Sequence, residues 1–182
     1  MTIQVNDKIR LEFLEEVHAP TLLCLVNDNR DHLKKWLPWV DNMQAVENAK
    51  DYIAGCLRQA AEKTDFAYAI MYEREMVGRI GIHHINQQNK IGEIGYWLAD
   101  GLQGKGIVTK CCTALIKYGF IHLGLNRIEI KCAVGNGKSQ AIPQKLNFKK
   151  EAILQQAEWL NGKFIDLYLY SMLKEEWEMD NT

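Results

Sequence analysis

The stretch Leu102-Gln103-Gly104-Lys105-Gly106-Ile107-Val108-Thr109 combines residue types suited to holding a phosphate. It follows a strand-like run, Ile94 to Leu98, and opens a helix-like run from Gly106 to about Phe120. The first N–H groups of a helix have no partner inside it, and the helix dipole places partial positive charge there. Gly104 and Gly106 remove side chains that would keep a pyrophosphate off the backbone. Lys105 adds a cation and Thr109 a hydroxyl. Two common phosphate motifs fail on spacing. A Walker loop needs a first glycine where Ala99 stands, and a dinucleotide fingerprint needs a third glycine where Thr109 stands.

Other side chains carry chemistry elsewhere. Ser139, in Asn136-Gly137-Lys138-Ser139, is a hydroxyl donor or a plain helix cap. Glu158, just before Asn161-Gly162, is a base or a surface carboxylate; Glu93 lies in the strand before the glycine turn. His83 and His84 are adjacent in a strand, so at most one faces any given cleft, and packed or solvated roles suit both. The five cysteines, Cys24, Cys56, Cys111, Cys112 and Cys132, form no C-x-x-C pair. That argues against a disulfide framework and a metal site, and for reduced thiols.

These residues need elements to position them. Lys8–Glu16 alternates as a strand, His18–Val26 reads as a helix, and a helix capped by Asp41-Asn42 runs to about Lys63. Trp36 and Trp39, flanking Pro38, are either core plugs or the wall of a groove. Phe66–Met71, Met76–Ile85 and Ile91–Leu98 form a meander. After the glycine turn and its helix come a strand, Arg127–Val134, and a short helix to about Leu146. The hairpin Phe148–Trp159 and Phe164–Met172 turns on Asn161-Gly162. The expected fold is one α+β domain over residues 1–182, with a mixed, mostly antiparallel sheet flanked by four helices. A net charge of -1, from 22 basic and 23 acidic residues, gives no field for nucleic acid or an anionic membrane. No leader-like N-terminus and no apolar run of about 20 residues is present, so neither secretion nor a membrane span is expected.

Gln103 to Val108 fits Gln-x-x-Gly-x-(Gly/Ala), which resembles the acetyl-CoA motif of the GNAT acetyltransferases, with Val108 departing at the last position. The resemblance extends along the chain through Trp36-Leu37-Pro38-Trp39, Tyr96-Trp97-Leu98, Asn126-Arg127, Asn136-x-x-Ser139, Leu146-Asn147-Phe148, Glu151 and Gln156 to Gly162. That order is similar to the RimL-type branch, which acetylates protein N-termini, the ribosomal stalk protein among them. Asn147 stands where Gly is usual, and Asn tolerates positive φ.

The resemblance implies a sheet splayed between the fourth and fifth strands, Ile91–Leu98 and Arg127–Val134, with the pantetheine arm in the gap beside Trp97 and Leu98. It implies acetyl-CoA as co-substrate, held by Trp97, Leu98, Gln103, Gly104, Lys105, Gly106, Ile107, Val108, Thr109 and Asn136. Glu158 aligns with the catalytic base, and Glu93 is the rival, at the place where many GNAT enzymes carry theirs. Ser139 is the implied acid, because the position of the usual acid tyrosine is Pro143. Cys132, beside the thioester gap, is expected to form a mixed disulfide with CoA on oxidation. The implied acceptor is a protein N-terminal α-amine, ribosomal proteins being the substrate class, with Trp36, Trp39 and Trp159 walling its groove. The implied setting is a cytoplasmic homodimer. Competing readings are acetylation of a polyamine or aminoglycoside, and a non-catalytic acyl-CoA-binding module.

The chemistry suits an α-amine. Its pKa is about 7.7–8.0 against about 10.4 for lysine, so at neutral pH deprotonation costs roughly 1 kcal/mol, not over 4. A modest carboxylate base then serves, and the thiolate needs only a hydroxyl donor.

Overall fold

A computed structural model describes residues 2–180. Eight strands form one sheet: β1 (Thr2–Gln4), β2 (Ile9–Phe13), β3 (Phe66–Tyr72), β4 (Glu75–Asn86), β5 (Ile91–Leu98), β6 (Arg127–Ala133), β7 (Lys149–Leu160) and β8 (Lys163–Leu173). The helices are α1 (Ala19–Asp28), α2 (Arg30–Leu33), α3 (Val46–Ala61), α4 (Ile107–Ile121), α5 (Gly137–Lys145) and α6 (Lys174–Asp180). Strand order is β1-β2-β3-β4-β5-β6-β8-β7. Every neighbouring pair is antiparallel except β5 and β6, joined in parallel through α4.

The sheet is covered on both faces because its strands alternate two apolar sets. Tyr68, Ile70, Ile80, Ile82 and Ile94 pack under α4 with Cys111, Leu115 and Phe120. Ala67, Ala69, Met71 and Trp97 face the other way, against Leu22, Val26, Ile53 and Cys56 of α1 and α3. Burial at these positions follows the period-2 and period-3.6 patterns of the sequence.

Three expectations need correction. The flanking helices number six among the described residues, not four, and β1 adds a strand at one edge. Residues 40–42 form a 3-10 turn, so Asp41-Asn42 is not the cap of α3. That helix starts at Val46, where the Asn48 carboxamide accepts the amides of Gln44 and Ala45 instead. One of the two added helices, α6, carries three glutamates in seven residues and no apolar stripe, yet it docks through Trp177 on Phe120 at 5.5 Å.

Two turns keep their sequence logic. Asn161 and Gly162 both have positive φ, 50° and 81°, as a two-residue turn between β7 and β8 requires. Asn147 sits at φ 59°, the left-handed conformation expected of it.

Candidate active site

The site begins where the sheet parts. β5 and β6 pair only through Ile91–Arg127, Gly92–Ile128 and Glu93–Glu129. Beyond Glu93, β5 stays bonded to β4 as far as Leu98, so its other edge turns backbone N–H and C=O groups into the gap. A cleft of about 790 Å³ fills this splay and continues to the glycine turn. That volume is ordinary for a ligand site.

Local backbone chemistry shapes the cleft's phosphate end. Gly101, Gly104 and Gly106 take φ of 77°, 80° and 73°, which glycine holds without strain. Gly106 is the N-cap of α4, and no side chain caps that helix. Its first amides are therefore left for a ligand, with the dipole behind them. Gly104, Gly106, Ile107, Val108 and Thr109 line the cleft there.

Gln103 lines the cleft too, but its carboxamide is spent on the loop. Its oxygen accepts the Gly101 amide at 3.0 Å, and its nitrogen donates to the Ala99 carbonyl at 3.1 Å and meets His32 Nε2 at 3.2 Å. The side chain braces the turn. Lys105 is exposed and stands outside the cleft lining. Val108 borders the cleft but packs into the core with Ile107 and Cys111, so its side chain does not project at a phosphate.

The two proposed catalytic groups stand on opposite faces of the splay. On the α4–α5 face, Asn136 caps α5 by accepting the Ser139 amide at 3.1 Å. Tyr96 donates its hydroxyl to the Ser139 carbonyl at 2.9 Å. The Ser139 hydroxyl lies 3.3 Å from Cys132 Sγ and 3.4 Å from the Tyr96 oxygen. Burial raises the pKa of both Tyr96 and Cys132, so each keeps its proton at neutral pH. All four residues line the cleft.

On the other face stands Glu158. Between the pairs Leu154–Leu167 and Glu158–Ile165, four steps of β7 oppose two of β8. The extra residues number an even two, so Glu158 keeps the facing of Leu154 and enters the cleft beside Leu167. Asp166 accepts the Gln156 amide at 2.8 Å, and Gln156 takes φ 48°. The Glu158 carboxyl titrates above the ordinary carboxylate range, first through burial and then through the charge of Glu93. Glu93 also lines the cleft, but Lys131 Nζ holds its Oε2 at 2.7 Å and His84 stands 3.5 Å off.

The aromatic residues divide. Trp36 lines the cleft with Leu37. Trp39 is half-buried and packs on Trp97 at 6.1 Å, against the α1–α3 core. Trp159, one residue from Glu158, points away from the cleft and pairs with Phe164 at 4.7 Å on the exposed face. Of the three tryptophans expected to wall a groove, only Trp36 lines this cleft. His83 is half-buried against Asp65 and Arg79, 2.6 and 2.9 Å away. His84 is exposed.

Sequence reasoning gave no role to Tyr96, quoted only within Tyr96-Trp97-Leu98, and none to Lys131. Both lay within alternating strands, and a pattern shows which face a residue takes, not that two separated strands bring it to one carbonyl or carboxylate.

These parts fit CoA: uncapped helix amides for its pyrophosphate, open strand edges for its pantetheine amides, and Ser139 and Cys132 near the splay for its sulfur. Residues 8–149 match the acetyltransferase (GNAT) domain model. The chain is 38% identical to YdaF of Bacillus subtilis (strain 168) over 178 residues, 97% of each chain. It is 32% identical to the ribosomal-protein-serine acetyltransferase of Escherichia coli (strain K12), covering 94% of this chain and 96% of that one. The structure of RimL, the ribosomal L7/L12 alpha-N-protein acetyltransferase, in complex with coenzyme A held in a cysteine disulfide, superposes with a TM-score of 0.93. It shares 30% identity over 97% of this chain and 99% of RimL. The chain belongs to the GNAT acetyltransferase family and is an acetyl-CoA-dependent N-acetyltransferase of its RimL-type branch.

Proposed function

We propose that this enzyme acetylates the N-terminal α-amine of a protein, a ribosomal protein by analogy with its relatives, with Glu158 as base and Ser139 as acid. One observation carries the reading: a carboxylate and a hydroxyl enter one cleft from opposite faces of the splay. The acceptor nitrogen approaches from the Glu158 face and attacks the thioester carbonyl. Its proton passes to the Glu158 carboxylate. The departing sulfur receives the Ser139 proton, which Ser139 regains from water.

Electrostatics support the choice of base. Burial and Glu93 lift the Glu158 pKa, which strengthens it as a base. Glu93 is already ion-paired with Lys131. A single carboxylate suits an α-amine better than a lysine, by the roughly 3 kcal/mol separating their deprotonation costs. The reading includes direct cofactor contacts from Trp97, Leu98, Gly104, Gly106, Ile107 and Thr109, one domain over residues 1–182, and a cytoplasmic homodimer. It also includes a disulfide between Cys132 and CoA, formed when an added oxidant takes two electrons and two protons from the two thiols.

The test is thiol release from acetyl-CoA with peptides starting in Ser, Ala or Met, beside a polyamine and aminoglycoside panel. Turnover of an α-amine peptide is expected, with a loss of 10²–10⁴-fold in Glu158→Gln. Polyamine turnover without any α-amine turnover would overturn the acceptor class. Equal rates in wild type and Glu158→Gln would overturn the base. Intact mass after CoA and diamide should show an adduct that Cys132→Ala abolishes, and light scattering reads the oligomer.

A further inference from the structure

Pro143 sits inside α5, four residues after Ser139. In a helix the amide of residue 143 would donate to the carbonyl of residue 139. Proline has no amide hydrogen, and its ring crowds the carbonyl four residues back. Within α5, the Ser139 carbonyl is thus denied its regular helical bond. The hydroxyl of Tyr96, on β5 across the gap, supplies a donor to that carbonyl at 2.9 Å. Asn136 holds the amide of the same residue at 3.1 Å. Ser139 is pinned at both ends of its backbone, once from its own helix and once from the strand that borders the gap.

We propose that Tyr96 is a positioning residue for the acetyl transfer, and that Pro143 creates its task by leaving the Ser139 carbonyl for a hydroxyl on β5 to hold. This deepens the reading of Ser139 as acid and rests on it. Tyr96 ties α5 to the very strand that borders the thioester, so the Ser139 hydroxyl is registered against the strand edge and not only against its own helix. The same oxygen that donates to the carbonyl lies 3.4 Å from Ser139 Oγ, close enough to accept its hydrogen while the cleft awaits substrate. Burial keeps the Tyr96 hydroxyl protonated, as a donor must be. In this arrangement a proline occupies the site of the usual acid tyrosine and still contributes, because the bond it lacks recruits another tyrosine to steady the serine.

The test is a pair of backgrounds. Tyr96→Phe in the natural chain should lower kcat about tenfold, the scale of one lost hydrogen bond, with KM for acetyl-CoA within about twofold. Pro143→Ala restores the helical amide, which can satisfy the carbonyl itself. In that background Tyr96→Phe should cost no more than about twofold. The carbonyl 13C shift of Ser139 in the free enzyme reads the same bond without turnover: Tyr96→Phe should move it, and adding Pro143→Ala should move it back. Equal kcat losses in both backgrounds, or a Ser139 carbonyl shift indifferent to Tyr96→Phe, would overturn the proposal. Wild-type turnover in Ser139→Ala would instead remove the acid reading, which the 13C measurement distinguishes.

Discussion

Gln103 offers a measurement that separates two ways of making a cofactor site. The motif resemblance places it among the groups that hold CoA, whereas the structure gives its carboxamide to the loop. Gln103→Ala removes an acceptor from the Gly101 amide and a donor from the Ala99 carbonyl, as well as the contact with His32. Each backbone bond is worth about 1 kcal/mol net, so about 2 kcal/mol of loop order is at stake. If CoA binding must restore that order, its Kd should rise by roughly 10–30-fold. kcat should stay within about threefold, since Gln103 touches no reacting atom. Calorimetric titration with CoA gives the Kd, and steady-state kinetics give the split. Hydrogen exchange at the Gly101 amide should quicken in the free enzyme. An unchanged Kd would refute the role of the brace. A raised Kd with unchanged Gly101 exchange would mean that the side chain touches CoA directly.

Four further outcomes follow from particular contacts. Lys131→Met should raise the pKa of Glu158, because Glu93 would then act on it without its cation; 13C titration of the Glu158 carboxyl should move up, and Glu93→Gln should move it down. Activity that needs ionised Glu158 is lost as pH falls through its raised pKa, so Lys131→Met should lose rate at a higher pH than wild type. The other ionisable side chains on that cleft are Lys138 and Lys145 of α5 and His32 of α2, while Ile165 and Leu167 bring none from β8. Val108→Ala should cost about 2 kcal/mol of stability in a denaturant titration and leave CoA affinity no tighter, since the side chain packs in the core. A Cβ on Gly78 would stand 2.3 Å from the Trp97 carbonyl, so Gly78→Ala should lower Tm by about 5–10 °C. A Cβ on Gly55, inside α3, meets only the flexible Arg58 guanidinium at 3.8 Å, so Gly55→Ala should raise Tm by about 2–3 °C.

The elements were legible wherever one face of the chain is apolar over several turns or strand steps. β6 alternates from Arg127 to Ala133, and Ile128, Ile130 and Cys132 are indeed its buried residues. The glycine turn was legible because left-handed backbone selects glycine at 101, 104 and 106. β1 was not, because three residues give no period. α6 was not, because its attachment rests on Trp177. Within the site, residue types were legible but their partners were not. Trp36, Trp39 and Trp159 are alike in sequence, yet one lines the cleft, one packs on Trp97 and one faces outward. The difference lies in loop geometry and strand register, which pair residues far apart in the chain.

Under the roles proposed for Ser139 and Glu158, the splay explains why acid and base sit so far apart in sequence. An intact sheet would spend the edge of β5 from Ile94 to Leu98 on β6 and would separate its two faces completely. Parting the strands leaves unpaired backbone groups, which would be costly in a dry interior but are solvated in an open cleft. A ligand carrying amides can replace that water bond for bond. The parting also joins the faces. On the proposed reading, a thioester in the gap would present its sulfur to Ser139, Tyr96 and Cys132 and its carbonyl carbon to an amine arriving beside Glu158. The two proton transfers then belong to two environments. Burial holds the Tyr96 hydroxyl and the Cys132 thiol of one face protonated, and on the other face burial and Glu93, itself paired with Lys131, raise the Glu158 pKa and make it the stronger base once ionised. No side chain has to serve as both acid and base. A substitution on one face should therefore change the pH dependence of its own step and leave the other face's titration where it was.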